Sequence, residues 1–173
     1  MTWWESLVVE LERFFRGAEV AAGVTVPYDQ LPDPPTPEPP ADTSLASLRP
    51  DLVPVFQNLE DRLSVTLAAV GWGLRRLETR RNDTRQGWLW GIGRLYKAPG
   101  RDGIVTDVKT ARGPHGEGRA VDYAYVPYNP GTSPSEADLN TALASVAAET
   151  GLTWGGQFHL SSGDTDPAHW ESA

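Results

Sequence analysis

The chain has 173 residues, 39% of them hydrophobic and seven of them tryptophan, which suits one domain of ordinary size with its own core plus an appendage. A formal net charge of −8 and a pI near 4.8 exclude a general nucleic-acid binder, which needs a basic face, and give no attraction to an anionic surface. The absence of cysteine excludes disulfides, thiol catalysis and thiolate-built zinc sites.

Trp3–Arg16 reads as an amphipathic helix, with Trp4, Leu7, Val8, Leu11, Phe14 and Phe15 on one face and Glu5, Glu10, Glu12 and Arg13 between them. Its acidic polar face disfavours anionic membranes, so packing on the main domain, self-association or docking to a partner is expected. No stretch approaches the roughly 20 apolar residues of a membrane span. The first residues also lack the basic start and small-residue cleavage site of a signal peptide. Residues 27–43 hold the run PDPPTPEPP and read as an extended, semi-rigid spacer. The organisation expected is therefore residues 1–26 as an N-terminal helix, 27–43 as a linker and 44–173 as the compact domain.

Within that domain, Asp51–Val70 reads as a helix stopped by Gly71, and Trp72–Thr79 as a strand. Asp83–Tyr96 reads as a helix with Asp83 at its N-cap and Gln86 as capping-box partner. Ile104–Thr110 and Arg119–Val126 are strand candidates. Ser135–Thr150 is the clearest helix, capped by Ser135 and ended by Gly151. Thr153–Phe158 reads as a last short strand. Strands and helices without regular βαβ alternation imply an α+β fold.

Two clusters carry chemistry. Residues 115–122 read HGEGRAVD. On a strand Asp122 shares a face with Ala120 and Ala124, and a carboxylate buried there is costly unless paired or bound to a metal. His115 reaches the same face only if the chain bends, which Gly116 and Gly118 permit. The octet is either a polar-ended hairpin or half of a metal site. Residues 164–171, DTDPAHWE, form the second cluster. Asp166-Pro167 starts a turn or a helix, and either one brings Asp166 near His169. The carboxylate then orients the imidazole or acts as a base. A lone histidine is more often structural than a ligand. Jointly, however, His115, Asp122 and His169 make a three-ligand N/O set that leaves a position for water, the pattern of catalytic zinc.

The octet fits H-x-x-G-x-A-x-D, which resembles the first zinc motif of the D-Ala-D-Ala carboxypeptidase and L-alanyl-D-glutamate endopeptidase family, zinc peptidases of the hedgehog/DD-peptidase fold. Arg81–Gln86 resembles the family's R-x-x-x-x-Q segment, Gly151–Gly156 the GxxWGG stretch of endolysin members, and Asp166–Trp170 the closing D-x-x-H-F motif. The resemblance covers residues 48–173. It departs at Gly113, where serine is common, and at Trp170, where phenylalanine is usual. His159 falls in a segment longer than the family's and reads as a loop histidine.

What the resemblance implies is a small antiparallel sheet flanked by helices, holding one zinc ion on His115, Asp122 and His169. Asp166 is implied as general base, and Arg81 as the residue that stabilises the oxyanion. The implied substrate is a stem-peptide amide of peptidoglycan, with L-alanyl-D-glutamate cleavage of the phage-endolysin type first and D,D-carboxypeptidase activity as the alternative. Such a protein, made in the cytoplasm, would reach the wall through a holin-type helper. The rival from another class is a non-catalytic wall-binding or virion module. The complete set His115, Asp122, Asp166 and His169 favours the enzyme.

Overall fold

The computed structural model describes residues 27–101, 105–106, 109–158 and 165–173, so the helix expected over Trp3–Arg16 and the loop residue His159 lie outside the described residues. Two compact units are present, the residues up to Pro39 with Asp83–Thr110 in one, and Pro40–Asn82 with Ala111–Ala173 in the other.

The larger unit begins its regular structure with helix α1, Val53–Ala69. Pro54 in its first turn supplies a preset φ where no N–H partner is needed. Phe56, Leu59, Leu63 and Leu67 recur at helical spacing and are all fully buried. Gly71, at φ 82°, turns the chain into strand β1, Trp72–Glu78. Strand β2, Ala120–Pro127, pairs antiparallel with β1. The last helix of this unit, Glu136–Thr150, behaves as its sequence requires: Ser135 accepts the Asp138 N–H at 3.3 Å, and Gly151 closes it at φ 69°.

Two short strands complete a four-stranded sheet. They are β3, Thr153–Trp154, and β4, His169–Glu171, and the order is β1-β2-β4-β3 with every pairing antiparallel. The strand expected over Thr153–Phe158 stops after two residues because Gly155–Gln157 coil into a 3-10 turn. A Cβ on Gly155 would stand 2.1 Å from the Asp166 carbonyl oxygen, so only glycine allows that approach. Of the turn or helix expected at Asp166-Pro167, the turn forms: the His169 N–H closes it on the Asp166 carbonyl at 3.1 Å, and strand β4 follows directly.

Side-chain alternation divides the sheet by function. Val121, Tyr123, Trp154 and Trp170 join the core with Phe56, Leu59, Leu63, Leu143 and Val146. Asp122 and His169, directly paired across β2 and β4, project from the opposite face.

The smaller unit is built around helix α2, Asp83–Gly91, which is shorter than the helix expected through Tyr96. Tyr96 folds back so that its hydroxyl donates to the Trp88 carbonyl at 2.5 Å, and its ring occupies the space a Cβ on Gly91 would fill. Gly93, at φ 76°, permits the reversal. The helix of Glu136–Thr150 is accordingly α3. The strand expected over Ile104–Thr110 is not seen at Val105, Thr106, Lys109 or Thr110. Thr106 serves side chains instead, accepting from Gln86 at 3.2 Å and from Arg94 at 2.8 Å.

Residues 27–39, expected within a spacer, are packed into this unit. Thr36 accepts the Trp88 indole N–H at 3.1 Å, Glu38 pairs with Arg85 at 2.9 Å, and Leu31 is buried. Prolines lack N–H groups, but the segment's carbonyls remain acceptors: Arg85 donates to Pro39 and Trp88 to Thr36. The fold is α+β as expected, with three α-helices and four strands among the described residues.

Leu63 sits in the centre of the α1 stripe with no exposed surface. Leu63→Ala is expected to cost about 2–5 kcal/mol, read as a lower urea midpoint with an unchanged slope.

Candidate metal centre

Asp122 sits in the middle of β2, where pairing with both β1 and β4 fixes its backbone. His169 faces it from β4. His115 arrives from outside the sheet, in a turn running through residues 114–118. The two octet glycines make that turn. Gly118 has φ 69°, and a Cβ on Gly116 would overlap the Ala111 carbonyl. The His115 carbonyl accepts from Gly118 and from the Arg81 N–H, both at 3.2 Å, which ties the turn to the end of β1.

The three side chains converge. Asp122 Oδ1 is 2.9 Å from His115 Nε2 and 3.0 Å from His169 Nδ1, and those two nitrogens are 3.2 Å apart. Both histidines are more than nine-tenths buried. Four atoms around a tetrahedral zinc with bonds of about 2.0–2.1 Å stand about 3.3 Å from one another, close to the spacing seen.

The hydrogen bonds on the far side of each ring fix which nitrogen is available to an ion. His115 Nδ1 lies 2.6 Å from the Thr79 carbonyl, which can only accept, so Nδ1 bears a proton and Nε2 is the nitrogen turned to the cluster. His169 Nε2 lies 3.2 Å from Glu171, with the same consequence. With those cluster-side nitrogens deprotonated, as metal binding requires, each ring turns a lone pair toward the other and toward a carboxylate oxygen. Three acceptors aimed at one point, with outer partners setting the tautomers, fit a divalent cation such as zinc.

In the absence of an ion the same nitrogens can carry protons. Burial alone would raise the Asp122 pKa, but hydrogen bonds with His115 and His169 outweigh it and hold the group far below the usual carboxylate range. For His169, burial works against the charged ring, and the bonds to Asp122 and Glu171 overcome it, so its pKa lies above the ordinary value.

Of the residues singled out in the sequence, His115, Asp122 and His169 form this cluster. Arg81 adjoins it, with Nη2 3.2 Å from Asp122 Oδ2. Asp166 is outside the ligand set but within reach of its charges. Burial, and then the Asp122 carboxylate, push its pKa up. Its backbone is tightly held. The Asp166 N–H donates to Gly155 at 2.9 Å, and its carbonyl accepts from the His169 N–H at 3.1 Å. The next carbonyl, of Pro167, accepts from the Trp154 indole at 2.9 Å and the Tyr125 hydroxyl at 3.1 Å.

Three supporting residues were not visible beforehand: Thr79, Glu78 and Glu171. Glu171 had a signal, since on a strand it shares a face with His169 two positions earlier. Thr79 and Glu78 had none, because nothing local to β1 says which loop will dock on it.

No family model and no curated protein matches the chain significantly. Solved structures similar to it include the Serratia marcescens L-Ala D-Glu endopeptidase ChiX, 24% identical over 75% of this chain and 83% of that one, with a TM-score of 0.47. Another is the vancomycin resistance D,D-pentapeptidase VanY from a VanB-type resistance cassette, solved in complex with Zn(II). It is 14% identical over 82% of this chain and 85% of that one, with a TM-score of 0.43.

The protein is expected to take up one equivalent of zinc, measured by elemental analysis after dialysis. His115→Ala should weaken binding by more than the roughly 10–100-fold typical of a lost outer partner.

Proposed function

We propose that the protein is a zinc-dependent peptidoglycan peptidase that hydrolyses an amide of the stem peptide, with the L-alanyl-D-glutamate bond as its first substrate. The observation that carries this reading is the convergence of His115, Asp122 and His169 on one point, with the half-buried carboxyl of Asp166 within reach of their charges. The octet and the D-x-x-H segment supply these four residues in the order the resemblance requires. A binding-only module does not require these four residues together.

His115, Asp122 and His169 would hold the ion. Bound there, zinc supplies Lewis acidity toward an amide carbonyl and makes water more acidic. Asp166 is the one carboxyl of the set not committed to the ligand cluster. Its raised pKa suits it to take a proton from water and return it to the leaving amine. The bonds of Asp166 to Gly155 and of Pro167 to Trp154 fix the backbone that carries that carboxylate. Arg81 lies at the rim of the cluster and contributes positive charge where the carbonyl oxygen becomes negative.

Two measurements test this. Mass spectrometry of muropeptides after digestion should show new N-terminal D-glutamyl (or D-glutaminyl) stem peptides. Loss of only the terminal D-alanine would assign the carboxypeptidase reaction instead, and unchanged muropeptides would refute the peptidase. Asp166→Asn should keep its zinc and lose at least about 100-fold in turnover. Undiminished turnover would remove Asp166 from the chemistry.

A further inference from the structure

Asp122 uses its two oxygens differently. Oδ1 faces both ligand histidines, whereas Oδ2 faces Arg81 Nη2 at 3.2 Å. The same Arg81 nitrogen lies 2.6 Å from Glu78 Oε2, and Arg81 Nε reaches that oxygen at 2.9 Å. Glu78 therefore grips the guanidinium with one oxygen through two N–H groups. The side chains of Glu78 and Arg81 are 5% and 13% exposed, so this charge-assisted contact is largely shielded from water.

Glu78 reaches this position through an irregularity in the sheet. Arg76 pairs with Tyr123, but the next partner of Asp122 is Glu78, one residue later than regular pairing gives. The extra residue, Leu77, forms a bulge and is partly exposed. Without it, Leu77 would stand opposite Asp122 and Glu78 opposite Val121, on the core side. The bulge thus brings a carboxylate, in place of an apolar side chain, to the site face.

We propose that Glu78 is a positioning residue that acts through Arg81 to fix Asp122 with a single oxygen, Oδ1, turned to the ligand histidines. This rests on the metal-centre reading above. A carboxylate free to rotate offers either one oxygen or two. Keeping Oδ2 on Arg81 restricts Asp122 to one, which leaves room for water in a three-ligand site. It also restrains Arg81, whose long flexible side chain would otherwise lose entropy each time it engaged substrate.

The test compares wild type, Glu78→Gln and Glu78→Ala, with folding checked by circular dichroism. Zinc affinity is measured by chelator competition, and the visible spectrum is recorded after cobalt substitution. Glu78→Gln keeps the shape and removes the charge. It is expected to weaken zinc binding roughly 10–100-fold and to change the intensity of the cobalt bands, which report ligand number and geometry. Glu78→Ala should do the same or more; if it fails to fold, the isosteric variant decides. A folded Glu78→Gln with wild-type zinc affinity and an unchanged cobalt spectrum would overturn the role and leave the metal centre standing. A wild-type protein that binds no zinc would overturn both.

Discussion

A carboxylate taken out of water at the middle of a sheet is expensive, and the rest of the site follows from that cost. Asp122 is kept ionised by charged or polar partners on every side: two imidazoles on one oxygen and a guanidinium on the other. Remove the imidazoles and the buried charge loses most of its compensation. Remove the carboxylate and two histidine nitrogens face each other at 3.2 Å with no anion beside them. The three groups are tolerable only together, and a cation at their centre satisfies all of them.

Holding them together is the work of neighbours that make no contact with that centre. Thr79 is the best example. Its carbonyl fixes the His115 ring, while its own N–H and hydroxyl both donate to the Asp42 carbonyl, at 2.7 and 2.9 Å. Asp42 is in turn ordered by accepting the Ser44 N–H. On the other side, Gly155 has no side chain, and this lets the Asp166 turn lie close enough for His169 to face Asp122. Phe158 packs on the His169 ring at 5.7 Å, which adds apolar cover. The ligands are thus held by backbone carbonyls and ring edges whose positions are set by the fold.

The convergence of His115, Asp122 and His169 could be anticipated because its signals are local. His115 and Asp122 lie within one octet, and His169 closes the turn that begins at Asp166. Helices α1 and α3 were legible for the same reason, since an apolar stripe and a serine-to-glycine pair of caps are short-range signals. Strand β4 was not, because three residues carry too little periodicity and owe their form to partners on β2 and β3. Helix α2 ended early because Tyr96 folds onto Gly91, a tertiary contact with no local mark. The proline-rich segment read as a spacer because its composition conceals how well its carbonyls serve Arg85 and Trp88. Glu78 depended on a one-residue bulge, and no pattern in WGLRRLE announces one.

The separation of core and chemistry onto opposite faces of β2 has a consequence for how such a chain can change. Val121 and Tyr123 look into the core and Asp122 looks out, so substitution can alter one face and spare the other. Length is a different matter. A single residue gained or lost inside β2 would exchange the faces, sending the carboxylate inward and a valine or tyrosine toward the ligands. Strand β2 lies between two partners and cannot absorb that shift. Strand β1 is at the edge, and it already carries an extra residue at Leu77. Divergence by insertion is therefore open to the margin of this sheet and closed at its centre. The edge is also where one added residue changed which side chain meets the aspartate.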